Sequence, residues 1–552
     1  PLSKTLKNIS IDLTPVVPGG HNGGAKVYVL ELIRELAELY PEITFLLLLK
    51  KEAFAELNRL ACDNILLVSM DDDSSRFEHE RATRYQARSY PRRIWDRLKR
   101  ELAARGWMIK QPKWVEPCSL RKMDVDLLFC PFTDPTYYEP GIPVVSTIHD
   151  LQYKTYPQFF TEADVRHRDA VFIRTVERST ALAAVSEYAR ASAMSHGGIS
   201  SECIRTIYHR LAHRMVECAD DQVLTALGLA SAEYLIYPAN FWLHKNHEVL
   251  LTAFSLALRQ GLPSKMKLVL TGASSSRQEW LKDAVLGLGI QGRVVFPGYV
   301  TDDQLGALIQ KRAGMVFPSL YEGFGIPVIE AMGAGIPVAC SNAGSLPEVA
   351  GEAALLFDPR SPEDLATAMI RLTTDQALRC QLVEEGNRRA VQFADSKVMA
   401  REHMSLFHAA MDLQASRYQV VGRYDDGWLG PKLWVQAGAS EGQRQLKFVF
   451  STEGWMPGQW AKLSLHLDGA LVEMYEIQKG TTRKIKVTLD ARSHLIEWRF
   501  MPLHIPSDYG LGNDHRLLSL MLKACWLMVE GQDEADLLKP NRPLETTHAI
   551  VN

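Results

Sequence analysis

The chain has 552 residues, 46% of them apolar and 23% charged, with a net charge of −3. That length and balance exclude a disordered chain and leave room for about three globular domains. The charge is too near zero to select a class of partner, and the eight cysteines form no C-x-x-C pair and no ligand-like spacing with histidine. Neither a metal site nor a disulfide framework is expected, and a reducing cytoplasm fits best.

The opening PLSKTLKNIS carries no charged-then-apolar leader, and the strongest apolar run, Ile43 to Leu49, is of strand length. Neither an export signal nor a membrane span is therefore expected. Strands are predicted at Ile9–Leu13 and Ile43–Leu49 around a helix from about Lys26 to Leu39, then at Leu127–Cys130, Val144–Ile148 and Ala181–Val185. A second set follows Ile204–Tyr208: Tyr234–Tyr237, Lys267–Leu270, Val294–Phe296, Met315–Phe317 and Val338–Cys340. Strands alternating with helical patterns in this way predict two doubly wound parallel sheets in series, with a ligand cleft beyond the carboxyl ends of their strands. Helix starts are expected at Ser345-Leu-Pro-Glu348 and Ser361-Pro-Glu-Asp364, and closing helices between about Asp375 and Met411.

Beyond Ser416 the pattern changes to alternating strands such as Leu446-Lys-Phe-Val-Phe and Ile496-Glu-Trp-Arg-Phe, the signature of an antiparallel β-sandwich. Its Trp428, Trp434, Trp455, Trp460 and Trp498 read first as core, with a carbohydrate-binding or assembly role left open. The boundaries are drawn at 1–212, 213–413 and 416–552.

Several words place chemistry-bearing residues at strand ends. PGGHNGGAKVYVLEL sets Gly19, Gly20, Gly23 and Gly24 between the first strand and first helix, where glycines let backbone approach a phosphate. TIHDLQY puts His149 at the carboxyl end of a strand, with Asp150 expected to orient the loop. YPANFWLHKNHEVLL puts Lys245 between a strand and a helix, where an ammonium can balance an anionic leaving group. Of the acidic pairs, Asp71–Asp73 lies in a polar loop and Asp124-Val-Asp126 precedes its strand, so both read as solvated turns and no metal is expected. Between Arg76 and Lys113, twelve basic residues face four acidic ones at near-helical spacing, a candidate contact for an anionic membrane surface.

FPSLYEGFGIPVIEAMGAGIPVACSNAGSLPEVAG carries Glu322 in a glycine-rich loop and Glu330 on the helix that follows, with Pro327 in its first turn. This segment resembles the donor-binding motif of the family-four glycosyltransferases, retaining enzymes of the GT-B fold. The resemblance covers about residues 1 to 413 and implies an α/β body of two Rossmann-like lobes facing a cleft, with the β-sandwich as an added domain. It implies that Glu322 lies near the donor sugar, that backbone around Phe324 and Gly325 grips sugar hydroxyls, and that Glu330 binds the ribose. It further implies that the Gly23–Gly24 loop lies beside the pyrophosphate, that His149 contacts the sugar, and that a last helix, Lys397–Met411 here, crosses back to the first lobe. Many members carry an arginine five residues before the lysine, where this chain has Asn240, so one phosphate partner is missing.

The implied reaction is metal-independent transfer of a hexose from a nucleoside diphosphate sugar to a glycan or lipid-linked glycan, as in bacterial surface polysaccharide assembly. The words YPANFWLHKNH and HDL resemble bacterial mannosyltransferase-type members, which favours GDP-mannose over UDP-hexoses. The alternatives are a nucleotide-sugar epimerase of the same architecture and a weakly catalytic glycan-binding subunit. No nucleic-acid partner is expected; the expected location is cytoplasmic, with possible contact at the inner membrane face.

Overall fold

The structure, a computed structural model, describes residues 6–18, 23–70, 120–212, 222–310, 314–424, 426–440, 442–456, 458–509, 516, 518–529 and 534–538. The basic stretch from Arg76 to Lys113, Asp71–Asp73, and Gly19 and Gly20 lie outside these residues. The chain divides into two compact units, one made of Leu6–Tyr137 and Val144–His408, the other containing Tyr138–Pro143 and the chain from Ala409 onward.

The first unit holds two parallel sheets. One contains β1 (Asn8–Asp12), β2 (Thr44–Leu49), β3 (Ile65–Ser69), β4 (Leu127–Cys130), β5 (Val144–Ile148), β6 (Ala181–Ala184) and β7 (Ile204–Thr206) in the order β3-β2-β1-β4-β5-β6-β7. The other contains β8 (Tyr234–Pro238), β9 (Lys267–Thr271), β10 (Val294–Gly298), β11 (Gly314–Phe317), β12 (Val338–Ser341) and β13 (Ala354–Phe357) in the order β10-β9-β8-β11-β12-β13. Both sheets reverse direction of winding beside their first strand, the switch point at which an open α/β sheet leaves a crevice for ligand. Helices cover both faces, so central strands such as β4, β5, β8 and β12 are buried along their whole length, as uninterrupted apolar runs require.

The crossover helix is present as Ser396–Ser416. Ser396 Oγ donates to Glu35 Oε1 at 2.6 Å and Lys397 Nζ lies 2.6 Å from Glu38 Oε1, tying its start to the first-lobe helix Gly23–Leu39. Asp126 corrects the sequence reading: it is buried, and its Oδ2 accepts from the N–H groups of Lys7 and Asn8 at 2.9 Å each. It braces the entry to β1 instead of standing in a solvated turn.

The second unit is an antiparallel sandwich, as the alternation predicted. Its strands are β14 (Gln419–Arg423), β15 (Leu429–Ala437), β16 (Arg444–Ser451), β17 (Trp460–Leu467), β18 (Ala470–Gln478), β19 (Thr482–Leu489), β20 (His494–Met501), β21 (Met521–Val529) and β22 (Ala535–Asp536). They form sheets in the orders β14-β15-β20-β17-β18 and β19-β16-β21-β22. Phe448 and Phe450 of one sheet meet Trp498 of the other edge to face at 5.2 and 5.1 Å, the centre of the sandwich core. The five tryptophans divide: Trp498 is wholly buried, Trp428 and Trp455 pack against the core from its margin, Trp434 is half-buried, and Trp460 is 49% exposed.

Candidate active site

The loop between β11 and the helix Ile326–Gly333 is held through its carbonyl groups. Ser345 Oγ donates to the carbonyls of Glu322 and Phe324 at 3.0 Å each, and Ser186 Oγ of the first lobe donates to the carbonyl of Gly323 at 2.7 Å. Ser345 had been expected to cap its own helix; its hydroxyl makes no capping bond there and braces this loop instead. Among the described residues no acceptor faces the N–H groups of Gly323, Phe324 and Gly325. The loop thus presents donors only, at the positive end of the helix Ile326–Gly333, a setting suited to hydroxyls and anions.

Two glycines are required here. Gly325 has φ +101°, and a Cβ on it would lie 2.6 Å from Leu346 Cδ2. A Cβ on Gly323 would collide with the carbonyl oxygen of His149, the point where loops of the two lobes touch. Phe324 is 3% exposed, with its ring 5.0 Å from His209 and 5.6 Å from Phe393, so only its backbone is available to a ligand.

The turn after β8 is pinned to the same loop. Asn246 takes a left-handed conformation (φ +61°) and donates through Nδ2 to the carbonyls of Pro318 (3.1 Å) and Pro359 (2.7 Å), while Leu320 N–H donates to His244 O at 2.8 Å. This delivers Lys245 Nζ to 2.5 Å from Glu322 Oε1, with the side chains 13% and 12% exposed. An ammonium has three donors and one is directed at Glu322, so the others remain for a phosphate or hydroxyl. Asn240 serves as a brace: its Oδ1 accepts from Ala273 N–H at 2.9 Å and joins the loops after β8 and β9. Gly272 permits that approach, since a Cβ there would stand 2.6 Å from Ala239 O.

From the first lobe, His149 Nε2 lies 2.7 Å from the carbonyl of Pro131. A carbonyl only accepts, so the proton sits on Nε2 and Nδ1 is left as an acceptor. Burial holds this histidine below its ordinary pKa, which keeps the ring neutral. Asp150 Oδ1 accepts from Gln152 N–H at 3.0 Å and shapes the loop, as expected. Gly24 lies at the start of the helix Gly23–Leu39, where a Cβ would come 3.0 Å from Ile326 Cδ1. Two helix N-termini, one from each lobe, therefore converge. Glu330, on the helix Ile326–Gly333, is 2% exposed.

Three residues near this centre were not singled out in the sequence. His209 is 3% exposed, lies 4.3 Å from the ring of Tyr28 and 6.2 Å from that of His149, and is pushed far below its ordinary pKa by burial and by the neighbouring histidines. Tyr28 OH sits 2.8 Å from His403 Nε2, whose other nitrogen sits 2.8 Å from Met399 O; the carbonyl fixes the proton on Nδ1, so the tyrosine donates. No fixed spacing links Tyr28, His209 and His403 along the chain, and only the fold brings them together.

Comparison with known proteins finds two family models along the chain. The family model described as Glycosyltransferase Family 4 matches residues 22–209, and that described as Glycosyl transferases group 1 matches residues 228–389. The chain is 29% identical over 275 residues to O-antigen chain mannosyltransferase B of Escherichia coli, spanning 47% of this chain and 69% of that one. It is 29% identical over 224 residues to the serotype-specific mannosyltransferase WbdA of E. coli, where the match spans 40% of this chain but only 27% of the relative. Among solved structures, Anabaena Alr3699/HepE in complex with UDP and glucose superposes with a TM-score of 0.52 at 17% identity, covering 73% of this chain and 99% of that one. Sucrose-phosphate synthase from Thermosynechococcus elongatus gives 0.52 at 19%, covering 73% and 98%. These structural likenesses establish the fold.

Proposed function

The chain belongs to the family-four glycosyltransferases of the GT-B fold, and from that premise we propose that it transfers mannose from GDP-mannose, with retention and without a metal, to a glycan or lipid-linked glycan of a surface polysaccharide. The observation that carries this reading is the Lys245–Glu322 pair beside the three unpaired loop N–H groups, with His149 Nδ1 on the first-lobe side.

In the proposed reaction the acceptor hydroxyl attacks C1 on the face from which the diphosphate departs. The C1–O bond to phosphate breaks as the new C1–O bond forms, and the acceptor proton passes to the leaving phosphate oxygen. Such a step needs no side-chain base; it needs the growing charge on the diphosphate to be met. Lys245 supplies a cation, and the loop donors and converging helix N-termini supply fixed dipoles, the kind of preorganised stabilisation that acts most strongly in the transition state. Glu322 holds Lys245 and orients the sugar, His149 Nδ1 accepts from a sugar hydroxyl, and Glu330 anchors the ribose. The relatives named as mannosyltransferases favour mannose as the transferred sugar.

A thermal-shift screen of nucleotide sugars tests the donor. A ligand of the native state at a hundred times its dissociation constant adds about 2.7 kcal/mol, so GDP-mannose should stand above UDP-hexoses. A screen in which a UDP-hexose alone stabilises the protein would overturn the mannose assignment. Release of free sugar at full rate without acceptor would instead identify the epimerase.

A further inference from the structure

Thr133, in the loop after β4, has φ +77°. The other non-glycine residues at positive φ among the described residues are Asp124, Asn246 and Asp468, whose short polar side chains suit this region; a β-branched residue there is strained. Asp134 N–H donates to Phe132 O at 3.0 Å, so Thr133 stands at the centre of a three-residue γ-turn of the rare, strained hand. Such strain persists only where neighbours over-determine it, and it collects at functional sites.

The neighbours that hold the turn also hold His149. Ladder pairing of β4 with β5 ends at Cys130 and Ser146, and beyond it two side-chain bonds cross in opposite directions. Thr133 Oγ1 donates to Thr147 O at 2.7 Å, and His149 Nε2 donates to Pro131 O at 2.7 Å. From the helix Glu162–Arg178, Arg174 grips Asp134 twice, Nε to Oδ1 at 3.2 Å and Nη2 to Oδ2 at 2.7 Å, and Thr175 Oγ1 lies 3.3 Å from Thr133 O. With Asp134 clamped to that helix and the Thr133 hydroxyl to β5, a change of φ at Thr133 is taken up on the Pro131 side. It moves the carbonyl that fixes the His149 proton.

We infer that Thr133 is a positioning residue for the donor sugar: its γ-turn aims the Pro131 carbonyl at His149 Nε2, which keeps the proton on that nitrogen and leaves Nδ1 to accept from a sugar hydroxyl. The inference rests on the proposed contact between His149 and the sugar. Thr133 touches no substrate and acts through His149, while Arg174 clamps the turn from the helix.

Calorimetric titration of the full chain with GDP-mannose and with GDP tests this. Thr133→Val keeps the side-chain shape and removes the hydroxyl; it should weaken GDP-mannose about tenfold, the scale of one lost hydrogen bond, and leave GDP unchanged. Thr133→Ser should keep the original affinity. His149→Ala should show the same sugar-specific loss, and adding Thr133→Val to it should cost nothing more, because both changes remove one contact. Losses that add in the double variant, equal weakening of GDP, or an unchanged affinity in His149→Ala would each overturn the inference. Should Thr133→Val not fold, Arg174→Met releases Asp134 instead and must give the same non-additive loss with His149→Ala. UDP-glucose and UDP are titrated beside the first pair. A sugar-specific, non-additive loss confined to the uridine pair overturns mannose as the donor and upholds the role of Thr133, whereas binding of neither nucleotide sugar overturns both.

Discussion

Lys245 Nζ and Glu322 Oε1 stand 2.5 Å apart, each carried by a different strand-end loop of the second lobe and each largely shielded from water. A buried pair is costly to break from one side only, because the remaining charge is left unmatched. Glu322→Gln and Lys245→Met should each lower kcat/KM about 10²-fold or more, the scale of losing one preorganised electrostatic partner. The double variant should lose much less than the product of the two single losses, since one interaction is removed in both. Steady-state kinetics on the four proteins checks this; fully multiplicative losses would show that the two groups act separately.

Gly323→Ala tests the contact between lobes. The added methyl meets the His149 carbonyl oxygen, a backbone atom that cannot rotate aside. We expect activity to fall by at least an order of magnitude, while the isolated stability of each lobe changes little. Gly228→Ala offers the comparison: its φ is +62° but nothing lies within 4 Å of the new Cβ, so its cost is local backbone strain alone. Equal activity losses in the two variants would argue against a steric block at the lobe contact.

The sequence made the outline of this site readable because each part lies within one short word. EGFGIP gave the loop and its helix, HKNH gave Lys245, and TIHD gave His149, each at a strand end that apolar runs had located. What it left unread depends on distances through space. That Lys245 is paired with Glu322, 77 residues away, follows from Asn246 anchoring one loop to the other. Ser345 followed by Glu348 has the pattern of a helix cap, yet tertiary contact redirected the Ser345 hydroxyl to the loop. Asn240 was read as a missing phosphate partner, and the close packing at Gly272 shows what the amide does in its place. Tyr28 and its partner His403 stand 375 residues apart in the chain, so nothing local to either signals the pair.

Buried histidines set an acid limit on stability. Burial lowers His403 to about 4 and His247 to about 3, from an ordinary value of 6.5. Below pH 6.5 the unfolded chain takes up protons at these positions while the folded chain does not, so stability is full above that pH and is lost as pH falls toward the folded values. Two such groups contribute a slope of up to about 2–3 kcal/mol per pH unit near pH 5. Asp12 acts in the opposite sense: burial raises it to about 6 from 3.8, so protonation between those values favours the folded state. Urea unfolding between pH 7 and 5 should show a net loss, and His247→Gln should flatten it by about one proton's worth. A slope unchanged in that variant would contradict the assignment to His247.

Glu348 joins the lobes at a second place. Its Oε1 accepts from Glu187 N–H at 2.7 Å and from Tyr208 OH at 2.8 Å, and its Oε2 accepts from Tyr188 N–H at 2.9 Å. A carboxylate of the second lobe thus caps the first-lobe helix Glu187–Gly197, while Arg389 donates to the carbonyls of Glu348 and Val349 at 2.6 and 2.9 Å and holds the segment in place. Loss of such a cap costs about 0.5–2 kcal/mol. Glu348→Ala should lower thermal stability on that scale and free the two lobes to separate, raising KM for the donor more than it lowers kcat. Glu348→Gln keeps one oxygen acceptor and should fall between the two proteins. If Glu348→Ala left both Tm and donor KM at their original values, the contact would have no part in holding the lobes together.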